Sequence, residues 1–217
     1  MRTNHYGLLL VMMEPPEEME EEFNEWYDTE HIPERKAVPG IFSAERFVAF
    51  EGSPRYLALY DLESVEVLQS ESYKKIGIDH LSPWSKRIIR SVRGFKRNIY
   101  QQTFPGTAQI PEKADALALW AYDIEANKED ELNRWYNTDC FFQLKKMEGF
   151  IDVRRFICVE GSPKHLALLN FKDVRCFENE AYRKVLLFGE TIPFKKYLNG
   201  TIHKVYKKYI ERQTRVD

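Results

Sequence analysis

The sequence predicts an α+β protein of two tandem ferredoxin-like βαββαβ units, and three observations lead to this fold class. The pair Trp26-Tyr27 recurs as Trp135-Tyr136, 109 residues later. The turn sequence EGSP recurs at the same offset, at residues 51–54 and 160–163. In each half, apolar runs and amphipathic segments follow the order strand, helix, strand, strand, helix, strand. Two copies are too few for a solenoid, so the repeat indicates duplication of one supersecondary unit.

The domain organisation follows from this repeat. We expect a first unit over residues 1–104 and a second unit over residues 116–217. Residues 105–115 lie between them and contain two prolines and a glycine, which is typical of a linker. The whole molecule would therefore be one compact protein made of two similar halves.

Each element of the first unit has its own signal. Tyr6–Met13 is a continuous apolar run and predicts a buried strand. Pro15 and Pro16 suit the entry to a helix, because the N–H that proline lacks would be unpaired there. Four apolar residues then share one helix face: Met19, Phe23, Trp26 and Tyr27. The later elements are a helix end at Pro33, Pro39 and Gly40, a hairpin of Ile41–Phe50 and Tyr56–Leu62, a helix over Val65–Ile76, a loop with a short helix over Asp79–Arg90, and a strand over Ser91–Thr103.

The second unit repeats this order. Its predicted strands are Ala116–Ile124, Phe150–Val159, His165–Phe171 and Thr201–Ile210. Its predicted helices are Lys128–Thr138 and Phe177–Leu187. The two inner strands flank the second EGSP turn, so we expect them to form a hairpin like the pair in the first unit.

Composition narrows the class of protein. The chain of 217 residues has 32 basic and 34 acidic side chains and a formal net charge of -2, so nothing calls for a nucleic-acid or anionic membrane partner. The apolar run at Tyr6–Met13 is too short to span a bilayer and lacks a signal-peptide cleavage site. The three cysteines are far apart and form no CxxC pair. We therefore expect a reduced, cytoplasmic protein without disulfides.

The functional asymmetry between the units lies in one segment. Residues Phe23–Gly40 read FNEWYDTEHIPERKAVPG, and the matching Leu132–Gly149 read LNRWYNTDCFFQLKKMEG. The aromatic pair and the final glycine are kept, whereas three ionisable residues are exchanged: Asp28, His31 and Arg35 become Asn137, Cys140 and Leu144. The first unit therefore carries the ionisable chemistry, and the second keeps mainly the packing residues.

The segment FNEWYDTEHIPE, followed by Pro39-Gly40 and a strand carrying Arg46-Phe47, resembles the dimeric α+β barrel superfamily, in particular its EthD-like members. The resemblance covers both units. It implies that two ferredoxin-like sheets close an eight-stranded barrel, here within one chain, and that His31 lies at the mouth of a pocket between sheet and helices. The superfamily includes monooxygenases, isomerases, lyases, cyclases and haem enzymes, so the resemblance does not choose a reaction.

His31 is the first candidate catalytic residue, as a general acid or base near neutral pH. Asp28, three residues earlier, would face it on a continuous helix and set its tautomer. Arg35 would hold a carboxylate or phenolate through two hydrogen bonds. The alternatives are a helix-end histidine favoured by the dipole and a surface ion pair of Arg35 with Glu30 or Glu34.

The remaining candidates are aromatic or lie in the segment expected to cover the first pocket. Tyr60, on a predicted central strand, would offer its hydroxyl to developing negative charge, or else serve as core. Five residues are candidate substrate contacts: Trp26, Tyr27, Tyr56, His80 and Trp84. The recurrence of Trp26 and Tyr27 in the unit without the histidine favours packing for at least one of them, and Trp84 can equally pack as part of a lid.

The leading hypothesis is a cofactor-independent enzyme that acts on a small aromatic or polyketide-like carbonyl compound, as an isomerase, lyase, cyclase or oxygenase. The alternatives are a haem enzyme and a non-catalytic, small-ligand-binding or stress-related scaffold. No metal site is expected, because the five histidines show no ligand spacing. The expected partner is a small hydrophobic or aromatic molecule, and two fused barrels can still pair as a homodimer through their outer helices.

Overall fold

The structure is a computed structural model that describes residues 5–107, 114–178, 182 and 194–210. Its strands are β1 (Gly7–Glu14), β2 (Ile41–Ala49), β3 (Tyr56–Leu62), β4 (Arg93–Phe104), β5 (Ala116–Ile124), β6 (Phe150–Glu160), β7 (His165–Phe171) and β8 (Leu198–Lys208). Its α-helices are α1 (Glu20–Trp26), α2 (Ile32–Lys36), α3 (Glu71–Lys74), α4 (Pro83–Ser91), α5 (Glu129–Trp135) and α6 (Phe141–Leu144). Single π-helical turns join α1 to α2 and α5 to α6, over Tyr27–His31 and Tyr136–Cys140.

The eight strands form a closed antiparallel barrel in the order β1-β3-β2-β8-β5-β7-β6-β4. The first four strands therefore follow the order β4-β1-β3-β2 around the barrel, and the last four follow the matching order β8-β5-β7-β6. Two seams close the barrel, where β2 pairs with β8 and β4 pairs with β6. The predicted α+β class and the closed eight-stranded barrel are confirmed.

Both faces of the inner strands are buried, which explains their continuous apolar sequences. In β1, Leu8 and Leu10 pack in the cluster that fills the barrel. The alternating residues Leu9 and Val11 face outward and pack beneath the helices of the first half. Because the barrel interior is filled by side chains, the space for a ligand lies between the outer face of the strands and the helices.

A buried ion pair crosses the barrel interior between the two halves. Arg154 on β6 donates to Asp61 on β3 at 2.7 Å, and both side chains are at most 2% exposed. Ser43 on β2 donates a further hydrogen bond to the same carboxylate at 3.1 Å. The low dielectric of the interior makes this pair costly to break, because removal of one partner leaves a buried charge without its counterion.

Several predicted elements differ from the observed ones. The helical path does not end at Pro33, which lies in the first turn of α2, where its missing N–H costs little. The helix predicted over Val65–Ile76 is a 3₁₀ turn, Val65–Gln69, followed by α3. Most of the helix predicted over Phe177–Leu187 lies outside the described residues. In the described part of the chain, no helix is long and apolar enough to cross a membrane.

Replacement of Asp61 by alanine should lower the free energy of unfolding by about 3–5 kcal/mol, because it removes the carboxylate that pairs with the Arg154 guanidinium inside the barrel. Urea unfolding measures the change. As a control, Glu71→Ala removes one partner of the exposed pair with Lys74 and should leave stability nearly unchanged. Equal effects of the two substitutions would contradict a stabilising role for the buried pair.

Candidate active site

A cavity of about 370 Å³ opens in the first half, between the outer face of β1 and β3 and the segments that cover it. Its walls are mainly apolar, and polar residues reach in from the π turn, α2, β3, α3 and β4. The lining residues are Leu9, Val11, Met13, His31, Arg35, Tyr60, Tyr73, Gly77, Ile78, Leu81, Ile89, Phe95 and Arg97. The structure thus brings together three predicted catalytic residues, His31, Arg35 and Tyr60, around one cavity.

His31 is enclosed by aromatic rings. Its ring centroid lies 4.3 Å from that of Trp26, 5.1 Å from Tyr27 and 6.4 Å from Tyr60. Burial lowers the pKa of His31 well below its usual 6.5, and the positive charges of Arg35 and Arg46 lower it further. The imidazole is therefore neutral at physiological pH, and its buried Nδ1 atom has no hydrogen-bond partner among the described residues.

Arg35 and Tyr60 also present polar atoms without partners. A guanidinium nitrogen of Arg35 lies 3.6 Å from Glu34, too long for a hydrogen bond, and is buried without another partner in the described residues. The buried Tyr60 hydroxyl makes no hydrogen bond of normal geometry in that same part of the chain, and its nearest polar neighbour is the Tyr27 hydroxyl, whose pKa it lowers. Burial raises the pKa of Tyr60 well above 10.0, so its hydroxyl keeps its proton and can donate it in a hydrogen bond.

These unpartnered groups are informative because buried polar atoms are normally satisfied. Each one left without a partner costs about 1–3 kcal/mol. Three residues that line one apolar cavity, His31, Arg35 and Tyr60, each carry such an atom. Buried polar atoms of this kind are completed by a ligand, an ion or ordered water.

The prediction that Asp28 orients His31 is wrong. Asp28 instead accepts hydrogen bonds from Arg46 at 2.7 Å and from the Tyr209 hydroxyl at 3.1 Å. The π turn over Tyr27–His31 explains the difference. Its wider turn adds a residue to the helical repeat, so positions three apart no longer share a face as they would on an α-helix. Asp28 consequently faces β2 while His31 faces the cavity.

The predicted aromatic contacts are packed around the site and are not among the residues that line the cavity. Trp26 is fully buried and donates its Nε1–H to Ser85 at 3.0 Å. Tyr27 packs against His31, and its pKa is raised by burial. Tyr56 donates its hydroxyl to Glu20 at 2.5 Å. These residues hold the π turn in place, so they position the site without contact to its cavity.

His80 and Trp84 do not cover the cavity as predicted. His80 is exposed, and Trp84 lies on α4, where its Nε1–H donates to Glu22 at 3.0 Å. The cover comes from Tyr73 of α3, from Ile78, and from Leu81 and Ile89, which lie in the predicted covering segment. Sequence reasoning missed Tyr73, although its partner at the 109-residue offset is Tyr182, an aromatic residue that also packs against its sheet.

In the described part of the second half, apolar side chains pack in the matching space. Cys140 and Leu144, which replace His31 and Arg35, belong to one buried apolar cluster with Leu169, Trp120 and Tyr182. Trp120 stands where the first half has Val11, and its larger ring occupies that part of the outer sheet face. Burial raises the pKa of Cys140 to about 12, so its thiol is not a nucleophile at neutral pH. Within the described residues, no cluster of His, Cys, Asp or Glu could hold a metal ion.

The sequence matches no protein-family model, and no curated protein sequence matches it either. Solved structures share its fold. A protein provisionally named a chlorite dismutase aligns over 96% of this chain and 96% of its own, with a TM-score of 0.67 and 7% identity. An anthrone oxidase-like protein aligns over 95% and 92%, with a TM-score of 0.61 and 11% identity. A haem-binding protein from Thermus thermophilus aligns over 95% and 92%, with a TM-score of 0.58 and 11% identity.

These neighbours are dimeric α+β barrel proteins, as the sequence resemblance implied. At such low identities the likeness shows the fold alone. The alignments cover nearly the whole of both chains, so the complete eight-stranded barrel is shared and not one half of it. The function must be argued from this chain's own residues.

The lowered pKa of His31 makes the free energy of unfolding depend on pH. The unfolded chain binds the His31 proton near pH 6.5, whereas the folded protein resists it. The free energy of unfolding should therefore fall as the pH drops below about 6.5 toward the folded-state pKa, and this loss should shrink in His31→Gln. Urea unfolding between about pH 5 and 8 measures both slopes.

Substitution of the exposed His80 by glutamine controls for the loss of a histidine as such, and should keep the wild-type slope. An imidazole NMR titration of His31 gives the pKa directly. A value at or above 6.5, or an unchanged slope in His31→Gln, would contradict the buried neutral state.

Proposed function

We propose that this protein is an enzyme that acts, without a cofactor, on a small aromatic or polyketide-like carbonyl compound bound in the first-half cavity. The observation that carries the proposal is the convergence of His31, Arg35 and Tyr60, each with an unpartnered buried polar atom, on one apolar cavity. Apolar walls suit the body of such a substrate, and a few convergent polar groups suit its oxygen.

Each of the three residues has its own role when a proton is removed from the carbon next to a carbonyl group. Arg35 and Tyr60 donate hydrogen bonds to the carbonyl oxygen. His31 accepts the proton from the adjacent carbon, and the electron pair of that C–H bond moves onto the oxygen to form an enolate. Because Arg35 and Tyr60 are held in a low-dielectric site, they stabilise the negative charge more strongly than water would.

The lowered pKa of His31 suits an imidazole that accepts a proton from the substrate and then gives it back. The lowered pKa keeps the ring unprotonated and ready to accept a proton at neutral pH. After transfer, the imidazolium lies in the field of Arg35 and Arg46, the two charges that lower its pKa. The enolate formed nearby offsets this repulsion, so the ion pair persists only while the enolate does.

Enolate formation is the shared first step of the isomerase, lyase, cyclase and oxygenase chemistries. Return of the proton to another atom gives an isomer, and attack of the enolate on a second carbonyl gives a ring. Transfer of an electron from the enolate to O₂ opens the oxygenase route. The names of the anthrone oxidase-like and monooxygenase neighbours are in line with that last route.

A haem protein is the second candidate, because one neighbour is described as haem-binding. The residues here do not fit that group well. A metal-bound histidine normally donates its other ring N–H to an acceptor, and the buried Nδ1 of His31 has none in the described chain. Three aromatic rings also surround His31, all with centroids within 6.4 Å. A hemin titration that gives a His31-dependent Soret band would restore the haem assignment.

We further propose that the chain arose by tandem duplication, with units at residues 1–104 and 116–217 joined by 105–115, and that it is EthD-like. The matching strand order and the matching π turns support this origin. A cytoplasmic location, a catabolic role and pairing of two barrels as a homodimer belong to the same proposal. They rest on the composition and on the superfamily resemblance.

Deuterium exchange at the carbon beside a carbonyl tests the reaction whatever its final product is. We expect the protein to accelerate this exchange in D₂O for members of a panel of aryl ketones and β-dicarbonyl compounds, followed by NMR. His31→Gln should slow the exchange by about 10²–10⁴-fold, because the base is removed. Tyr60→Phe should slow it by about tenfold or more, because one donor to the enolate oxygen is lost.

The matched control is Cys140→Ala, the position equivalent to His31 in the filled second half, which should leave exchange unchanged. Binding of the same compounds without any exchange would favour the non-catalytic scaffold. Exchange that survives in His31→Gln would assign the base to another group.

A further inference from the structure

A second cavity, of about 310 Å³, lies in the other half at a different place on the barrel. It opens at the seam where β4 meets β6, beneath α5 and the second π turn. Its lining residues are Thr103, Phe104, Tyr122, Asn133, Asn137, Arg155, Phe156, Ile157, His165 and Leu166. The proposed enzymatic site uses none of them.

Arg155 is the charged group of this cavity. Its side chain is only 8% exposed, and its guanidinium lies over the Tyr136 ring, 4.2 Å from the centroid. It donates to the Asn133 side-chain oxygen. No carboxylate forms an ion pair with it among the described residues. Arg155 also interacts with the Tyr122 hydroxyl, which is neutral like Asn133. A buried guanidinium with only neutral acceptors is unfavourable, because its loss of hydration is not offset by an opposite charge.

The first half shows how the same position is normally completed. Arg46, the equivalent of Arg155, donates to Asn24 and also to the Asp28 carboxylate at 2.7 Å. The ring of Tyr209 covers its outer side, 4.0 Å from the guanidinium carbon. The first half thus supplies both an anion and an aromatic cover from its own chain.

The second half lacks both groups. Asn137 stands where the first half has Asp28, so the carboxylate is replaced by a neutral amide. Thr103 takes the place of Tyr209 across the seam: the Thr103 hydroxyl donates to the Arg155 backbone carbonyl at 3.2 Å, and the Tyr209 backbone N–H donates to the Arg46 carbonyl at 2.8 Å. The exchange of a large ring for a small hydroxyl leaves the space that forms the cavity.

The other groups around the cavity do not compensate Arg155. Glu129 lies 3.3 Å from His165 and pairs with Lys164, so its charge is already balanced. Burial lowers the pKa of His165, and its ring stacks on Tyr122 with centroids 5.3 Å apart. Of the described lining residues, Arg155 alone carries a full charge at neutral pH.

We infer that this cavity is a binding site for a small monocarboxylate with an apolar body. The carboxylate takes the position that the Asp28 side chain occupies beside Arg46, where one guanidinium nitrogen donates a charge-assisted hydrogen bond to a carboxylate oxygen. The Asn137 amide offers a further donor. Phe104, Ile157 and Leu166 form the apolar walls that receive the rest of the molecule.

Benzoate is a suitable probe, and isothermal titration calorimetry of the full chain is the measurement. We expect benzoate to bind, and its neutral isostere benzamide to bind at least about tenfold more weakly, because a charge-assisted bond is lost. Asn137→Asp should abolish benzoate binding and raise the melting temperature of the free protein, since it restores the internal carboxylate of the first half. Arg155→Gln should abolish binding without that gain in stability.

Benzoate could also enter the first cavity, so Arg35→Gln is the matched control. Benzoate binding that survives in Arg35→Gln and is lost in Asn137→Asp supports the site at Arg155. Binding that is lost in Arg35→Gln and kept in Asn137→Asp overturns it. Equal affinity for benzoate and benzamide, or a lower melting temperature in Asn137→Asp, also overturns it.

Discussion

Closure of the barrel is the constraint on which the rest of the structure depends. Each half alone would be a four-stranded sheet with two open edges, whose unpaired N–H and C=O groups would invite association. The pairings of β2 with β8 and of β4 with β6 remove these edges within one chain. Closure also encloses an interior cluster of apolar side chains, and the first-half cavity lies between the outer strand faces and the segments that cover them.

The two halves use this common frame in opposite ways. In the first half, the space beneath α2 is open, while Asp28 and Tyr209 fill the position beside Arg46. In the second half, Trp120 and its apolar neighbours fill the first position, while the space beside Arg155 is open. A few side-chain exchanges decide where a cavity forms, because the backbone frame is fixed by strand pairing.

Features that depend on the local sequence pattern could be predicted, whereas features that depend on tertiary contacts could not. Strands buried on both faces give continuous apolar runs, so β3 and β7 were predicted to the residue. His31 and Arg35 could be linked to one pocket because the second half exchanges both together. The role of Asp28 could not be predicted, because nothing in the local sequence marks a π turn and the α-helical repeat gives the wrong face. Phe95 and Arg97 reach the cavity from β4, through tertiary contacts that no local pattern records.

In the proposed reaction, Arg35 and Tyr60 donate hydrogen bonds to an oxygen of the substrate, and His31 accepts a proton from its carbon. A crystal structure of the protein with 2-naphthol, a stable mimic of an aromatic enolate, tests this most directly. We expect the naphthol ring inside the first cavity, with its oxygen about 2.7–3.0 Å from donor atoms of Arg35 and Tyr60. A closed cavity in which Arg35 and Tyr60 bond to the protein's own groups, or naphthol bound only elsewhere, would contradict it.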